Sequence, residues 1–150
     1  MLHRVLVLLT VGGALMAACG GSDAGRRDAG RPRAGVALEG TEWVLDQEAT
    51  ALEAVAPQVK VTARFQGGRL SGNSGCNTYS TSYSTNGSSL SITGPIATTL
   101  MACEPPAMNV ERAYLELLPS VRSYTIGRRR LTLSTATKGV AVVFVPSAFR

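Results

Sequence analysis

From Val36 onward, apolar and polar residues alternate with a period of two, the pattern of strands that bury one face. Leu38-Glu39-Gly40-Thr41-Glu42-Trp43-Val44-Leu45 predicts a first strand with Trp43 as a core anchor. Residues 46–58, acidic and alanine-rich up to Pro57, read as a connection. Val59, Val61, Ala63 and Phe65 then point one way and Lys60, Thr62 and Arg64 the other, and Gln66-Gly67-Gly68-Arg69 supplies a hairpin turn into Leu70. Tyr79, Thr81 and Tyr83 alternate with serines and lead into Asn86-Gly87, which predicts a type I′ turn because that turn needs positive φ twice. Leu90 and Ile92 continue on the return strand, and Ile96 to Met101 is a further extended run. One helix stands out, with Asn109 as its cap, Tyr114, Leu117 and Leu118 as its apolar face and Pro119 as its stop. Tyr124-Thr125-Ile126, a turn at Gly127-Arg128, and Leu131 with Leu133 form another hairpin. Thr137-Lys138-Gly139 then turns into Val140 to Val145, apolar at almost every position and so a central strand covered on both faces. The predicted fold class is all-β with one helix: an antiparallel, partly closed sheet or small barrel with the helix packed on it.

The residues before Val36 follow a different pattern. His3 and Arg4 form a short polar start, and Val5 to Met16 is an apolar run too short to span a bilayer of about 30 Å as a helix. It ends in Leu15-Met16-Ala17-Ala18-Cys19, two small residues before a cysteine, which resembles the lipobox of bacterial lipoproteins apart from Met16, where Leu is usual. Residues 1–18 therefore read as a lipoprotein signal peptide, with Cys19 acylated on its thiol and amine, for instance by palmitate. More than one chain gives stable membrane anchoring. Gly20 rather than Asp follows the cysteine, which places the anchor on the periplasmic face of the outer membrane if the organism has two membranes. Residues 19–35 are rich in Gly, Arg, Asp and Ala, contain nothing that forms a core, and read as a flexible tether. Residues 36–150 are the folded domain.

Charge and composition exclude more than they assign. The net charge of +5 and pI of 9.6 reflect arginines at 4, 26, 27, 31 and 33, and residues 36–150 carry ten basic and eight acidic side chains, leaving +2. This argues against a nucleic-acid partner. The single histidine, His3, falls in the signal peptide, so the mature chain has no Ser-His-Asp or Cys-His machinery and no imidazole for a metal; no metal and no cofactor is expected. Cys76 and Cys103 are the only cysteines left in the domain and, in an exported protein, are expected to pair as a structural disulfide. A redox role has neither Cys-x-x-Cys spacing nor a histidine to support it.

Gly75-Cys76-Asn77-Thr78-Tyr79 and Ile96-Ala97-Thr98-Thr99-Leu100-Met101-Ala102-Cys103 resemble the paired signatures of the META domain, the family of heat-shock-inducible HslJ-type lipoproteins. Leu38-x-Gly40-Thr41-x-Trp43-x-Leu45 resembles its opening strand, and Tyr114-Leu115 to Leu118 and Leu131-Thr132-Leu133 fit its helix and the strand after it. The chain departs from the pattern at Leu100, where a basic residue is common, and at Gly127 to Arg130, basic where acid is frequent. The resemblance implies an all-β fold with a helix, an envelope location and a link to stress tolerance. It implies no catalytic residue.

Three functions are weighed on these grounds. The favoured one is a membrane-anchored, non-enzymatic module that binds an envelope protein or supports envelope stability. The second is a small apolar ligand held in the barrel mouth, lined by Trp43, Tyr79 and Tyr83, against the plainer reading that these aromatics fill the core. The third is a hydrolase built on paired carboxylates, disfavoured because Glu39 and Glu42 face opposite ways and Glu111, beside Glu104 and Glu116, reads as a helix-dipole partner. Arg128, Arg129 and Arg130 form the most pointed surface feature, either a solvated hairpin tip or a contact for an anionic headgroup or acidic protein. Asn77 and Thr98 are read as structural, satisfying backbone groups beside the disulfide.

Overall fold

Strict alternation lets a sheet hide one face only by curling round that face, and this chain does so completely. The computed structural model describes residues 36–50, 52, 56–137 and 141–149. Its strands are β1 (Glu42–Leu45), β2 (Thr62–Gln66), β3 (Arg69–Asn73), β4 (Thr78–Asn86), β5 (Ser89–Ile92), β6 (Ala97–Thr98), β7 (Val121–Gly127), β8 (Arg130–Thr135) and β9 (Ala141–Pro146), with helix α1 (Pro105–Leu117) between β6 and β7. The order β3-β2-β1-β9-β8-β7-β5-β4 is closed by a β3–β4 pairing, giving an eight-stranded antiparallel barrel, and β6 adds to the free edge of β4. The all-β class with one packed helix is thus realised as a fully closed ring.

The inward positions match the alternation. Val59, Val61, Ala63 and Phe65 are buried, as are Tyr79, Thr81 and Tyr83. Each fully buried large apolar side chain contributes about 1.5–3 kcal/mol, and Trp43, Phe65, Leu70, Leu90, Leu131 and Phe144 are all at 0% exposure. The indole N–H of Trp43 donates to Leu38 O at 3.1 Å, so the anchor is satisfied as well as buried. β9 lies between β1 and β8; in a closed ring no strand is central, and what sets β9 apart is cover over its outer face. Its outward Val143 is buried too, because Thr50 folds over it: the Val143 N–H donates to Thr50 Oγ1 (3.0 Å). Gln47 fixes the same connection from below, donating to Val59 O (2.5 Å) and accepting from Ala56 N (2.8 Å).

The barrel wall is thinnest between β5 and β7, which share one paired position, Ser89 with Ser123. Helix α1 packs on the interior, Tyr114 meeting Tyr79 and Phe144 edge-on with ring centroids 5.4 and 6.3 Å away.

Several boundaries differ from the sequence reading. β1 begins at Glu42, because Gly40 sits at φ +77° and turns the chain before it, leaving Glu39 in an isolated bridge with Phe65. The β4–β5 hairpin closes at Asn86 and Ser89, so its two-residue loop is Gly87-Ser88, and Gly87 alone has positive φ (+58°). That is the sign pattern of a type II′ turn, with glycine first, not type I′. The type I′ signature, two positive φ values, appears at Arg128 (+50°) and Arg129 (+62°) instead. The helix begins at Pro105, four residues before Asn109, which is not its cap; the cap position is Glu104, with no side-chain hydrogen bond. Proline is suited to a first helical turn, where its missing N–H costs nothing. The helix ends at Leu117 and passes through a 3₁₀ turn, Leu118–Ser120, that contains Pro119. Of the run Ile96 to Met101, only Ala97–Thr98 pairs as strand.

Candidate functional site

The two motif segments meet at one end of the barrel through the Asn77 side chain and a disulfide, and a buried carboxylate from α1 holds the first of them in place. β3 ends at Asn73, whose side-chain oxygen accepts from Gly75 N (2.8 Å) and starts a tight turn through Ser74, Gly75 and Cys76. Gly75 is at φ +122°, and a Cβ there would stand 3.1 Å from Ala107 O, so only glycine lets α1 approach this closely. Glu111 projects from α1 into the turn. Its Oε2 accepts from Ser74 Oγ (2.5 Å) and Asn77 N (2.7 Å), and its Oε1 accepts from Asn77 Nδ2 (2.8 Å). Burial raises the Glu111 pKa, but the bonds from Ser74, the Asn77 side chain and the backbone N–H groups of Asn77 and Cys76 outweigh it and hold the carboxyl below its ordinary value. Glu111 is therefore a structural anion in the second turn of α1, not a partner of the helix dipole as the sequence suggested.

Asn77, 2% exposed, relays this anchoring to the second segment. Its Oδ1 accepts from Met101 N (2.7 Å) and Thr99 Oγ1 (2.9 Å), while Nδ2 also donates to Met101 O (3.3 Å). The side-chain amide thus uses both its acceptor and its donor side, and for Met101 it replaces a neighbouring strand. Cys76 and Cys103 are disulfide-bonded, with 5.8 Å between their Cα atoms, and fix the far end of the loop. The structural reading of Asn77 fits this geometry; Thr98 stands opposite Tyr79 on an exposed strand, and no side-chain hydrogen bond among the described residues supports the same reading for it.

What this scaffold holds in place is exposed. Residues 97–106 are solvent-exposed without a break, and Leu100 is 95% and Met101 55% exposed. Beside them a groove of about 440 Å³ runs between Ile96 and Thr98 on one side and Met108, Arg112 and Leu115 of α1 on the other. A second, shallow cleft of about 700 Å³ lies on the outer face of β2, β3, β4 and β6, lined by short polar side chains such as Ser71, Asn73, Thr78 and Ser80.

The aromatics weighed as pocket-lining residues fill the barrel. Trp43, Tyr79 and Tyr83 are buried, and the rings of Phe65 and Tyr83 meet edge-on at 5.0 Å. Tyr79 OH donates to Thr62 O (3.1 Å) and lies 2.6 Å from Tyr114 OH, so both buried hydroxyls are satisfied. Burial pushes the pKa of Tyr79 and Tyr114 well up. Tyr83 rises to about 12 through burial and its hydrogen bond to the Glu39 carboxylate. Glu39 and Glu111 are thereby committed to structural bonds, and Glu104 and Glu116 are exposed. Among the described residues, no three His, Cys, Asp or Glu side chains are grouped to hold a metal ion.

The three arginines are not one patch. Arg130 pairs with Asp46 at 3.2 Å, Arg129 stacks its guanidinium 4.6 Å from the Phe149 ring centroid, and Arg128 extends from the hairpin tip. Cys19, the expected lipidation site, lies outside the described residues. Sequence reasoning missed the anchoring role of Glu111, although an acid at a helix position flanked by Val110 and Tyr114 on the buried face was a usable signal. It also did not anticipate that Leu100 stands free.

The META domain family model matches residues 36–148. The NMR structure of a protein from Burkholderia xenovorans is 28% identical, with 73% of this chain covering 83% of that one at a TM-score of 0.60. Another NMR structure is 19% identical, with 76% of this chain covering 97% of that one at a TM-score of 0.57, which shows likeness of fold. No curated protein matches the sequence. The motifs that meet at Asn77 and the disulfide and the family match over nearly the whole described region agree: this chain belongs to the META domain family.

Proposed function

We propose that the protein is a membrane-anchored envelope lipoprotein whose META domain is a non-catalytic module that binds another envelope protein. One observation carries this reading. A leucine at 95% exposure projects from a loop fixed by a disulfide and by both ends of a buried asparagine. Exposed apolar residues cost little when mobile, whereas a preorganised apolar contact gains affinity because its ordering cost is met before binding. Anchoring through Cys19 is supported by the lipobox-like Leu15-Met16-Ala17-Ala18-Cys19 and by the tether composition. The interior positions that a small apolar ligand would need are occupied by packed aromatic side chains, so the reading rests on the exterior.

The test is site-specific photocrosslinking in intact cells. A photoreactive residue at Leu100 is expected to capture a discrete envelope protein, while the same group at Arg64, exposed on β2, captures none. Equal labelling at both positions, or none at Leu100, overturns the module reading. Cys19→Ser is expected to release the protein from the membrane fraction, and unchanged membrane retention contradicts the anchor.

A further inference from the structure

The edge of β6 carries an inference that rests on the module reading and gives its partner a chemistry. Among the described residues, every strand except β6 has a hydrogen-bonded neighbour on each side. β6 pairs only with β4, at Tyr79 with Thr98 and at Ser80 with Ala97. Thr99 N donates to Thr78 O (3.1 Å), which makes 78 and 99 a hydrogen-bonded pair. By the alternation of an antiparallel ladder, the N–H and C=O of Thr98 then point away from β4. An open edge of this kind is a template for another strand.

The edge borders the groove between β6 and α1. Its β6 wall is Ile96 and Thr98, and its helical wall presents Met108, Arg112, Leu115 and Glu116. Arg112 donates to Asn109 Oδ1 of its own helix (3.0 Å), and neither Arg112 nor Glu116 is in an ion pair among the described residues. These two charges stand one helical turn apart, about 6 Å along the axis. Successive side chains on one face of a strand are about 6.6–6.8 Å apart. A strand laid along the groove would therefore meet Arg112 and Glu116 with residues i and i+2.

We propose that β6 and α1 form a strand-addition site for an extended peptide segment of a partner protein. The peptide exchanges both backbone hydrogen bonds with Thr98, places an apolar side chain against Ile96, Met108 and Leu115, and carries an acidic residue for Arg112 and a basic residue two positions away for Glu116. A helical partner would leave the Thr98 groups unused, and this is why the occupant is an extended chain.

Thr98 provides a discriminating variant. Its N–H faces away from β4, and proline is tolerated on edge strands in that orientation, so Thr98→Pro should keep the fold and remove the donor. The probe is a synthetic peptide of about ten residues, alternating Val and Thr, with Glu and Lys two positions apart. It is titrated into the isotope-labelled full chain, disulfide intact, and followed by amide NMR. The expected result is shifts confined to Ala97–Leu100 and the Met108–Glu116 face, and a drop in affinity of about tenfold for Thr98→Pro, which is one lost hydrogen bond. An Arg112→Glu, Glu116→Arg double exchange should reverse the preference between this peptide and its charge-swapped form. Equal binding by Thr98→Pro, shifts centred elsewhere, or no shift at about 1 mM peptide overturns the proposal. So does concentration-dependent broadening of β6 without peptide, which would assign the edge to a second copy of the chain. If Leu100 still crosslinks a partner in cells carrying Thr98→Pro, strand addition fails while the module reading stands.

Discussion

Replacing Glu111 by Gln tests whether one carboxylate ties the first motif segment to α1 and so holds Asn77 in place for the second. The side chain accepts from two donors fixed in place, Asn77 N and Asn77 Nδ2, and from the Ser74 hydroxyl, which can turn instead to Asn77 O (2.8 Å). Asn77 cannot flip to suit a new amide, because its Oδ1 already accepts from Met101 N and Thr99 Oγ1. Whichever way the glutamine amide turns, its NH₂ faces a donor. At least one charge-assisted bond is lost, at about 1.5–3 kcal/mol, and the remaining bonds weaken toward neutral strength. The expected loss is about 3–4 kcal/mol near pH 7, a large part of a typical domain's 5–15 kcal/mol. At roughly 4 °C per kcal/mol for a domain of this size, Tm should fall by roughly 10–15 °C. The pH dependence follows from the depressed pKa. A carboxyl whose folded pKa lies below its unfolded value of about 4.3 contributes its full stability above that value and loses it as pH falls through the folded pKa. The deficit of Glu111→Gln relative to the parent should therefore shrink on acidification to about pH 3. Urea unfolding of the disulfide-intact protein, followed by circular dichroism at both pH values, measures it. A deficit under about 0.5 kcal/mol, or one that does not change with pH, would show that the ionised Glu111 does not anchor the turn.

Three further outcomes follow from the same geometry. Replacing both Cys76 and Cys103 by Ser removes a link of sequence separation 27 and should cost roughly 3–4 kcal/mol in chemical denaturation; a loss under about 1 kcal/mol would show that the hydrogen bonds of Asn77 alone hold the loop. Gly72→Ala would place a Cβ 2.0 Å from Thr62 O, a backbone atom that cannot swing aside, so the variant should lose about 3 kcal/mol or more, or fail to fold, and a parent-like Tm would contradict the β2–β3 contact. Exchanging Arg128-Arg129 for Asn-Gly relieves two positive-φ side chains and should raise stability by about 1–2 kcal/mol; an unchanged or lower Tm would show that the Arg129–Phe149 stacking offsets the strain.

Much of the barrel was legible because alternation is a local signal. The inward sets Val59 to Phe65 and Tyr79 to Tyr83 could be read directly, and so could the cover on both faces of β9, which its apolar residues on successive positions require. Errors arose where a local signal competes with a distant partner. Asn109 precedes the periodic Val110 and looks like a cap, while Pro105-Pro106 looks like a break, yet prolines suit a first turn and the helix starts there. Ile96 to Met101 reads as a longer strand, but beyond Thr98 the Asn77 side chain takes the N–H and C=O of Met101 that a ladder would have used. The candidate site was visible only as two cysteine-bearing motifs. That Glu111, 34 residues beyond Asn77, anchors the first of them is a tertiary fact whose local trace is only an acid beside Val110 and Tyr114 on the buried helix face.

On the proposed reading, the exposed Leu100–Met101 loop is rigid before any partner binds, and backbone amide order parameters from NMR relaxation measure this. Thr99 to Cys103 should show values near 0.85, those of rigid backbone, despite their full exposure. Values below about 0.6 across the loop would mean that the disulfide and Asn77 do not preorganise it, and the proposed binding surface would lose its physical basis.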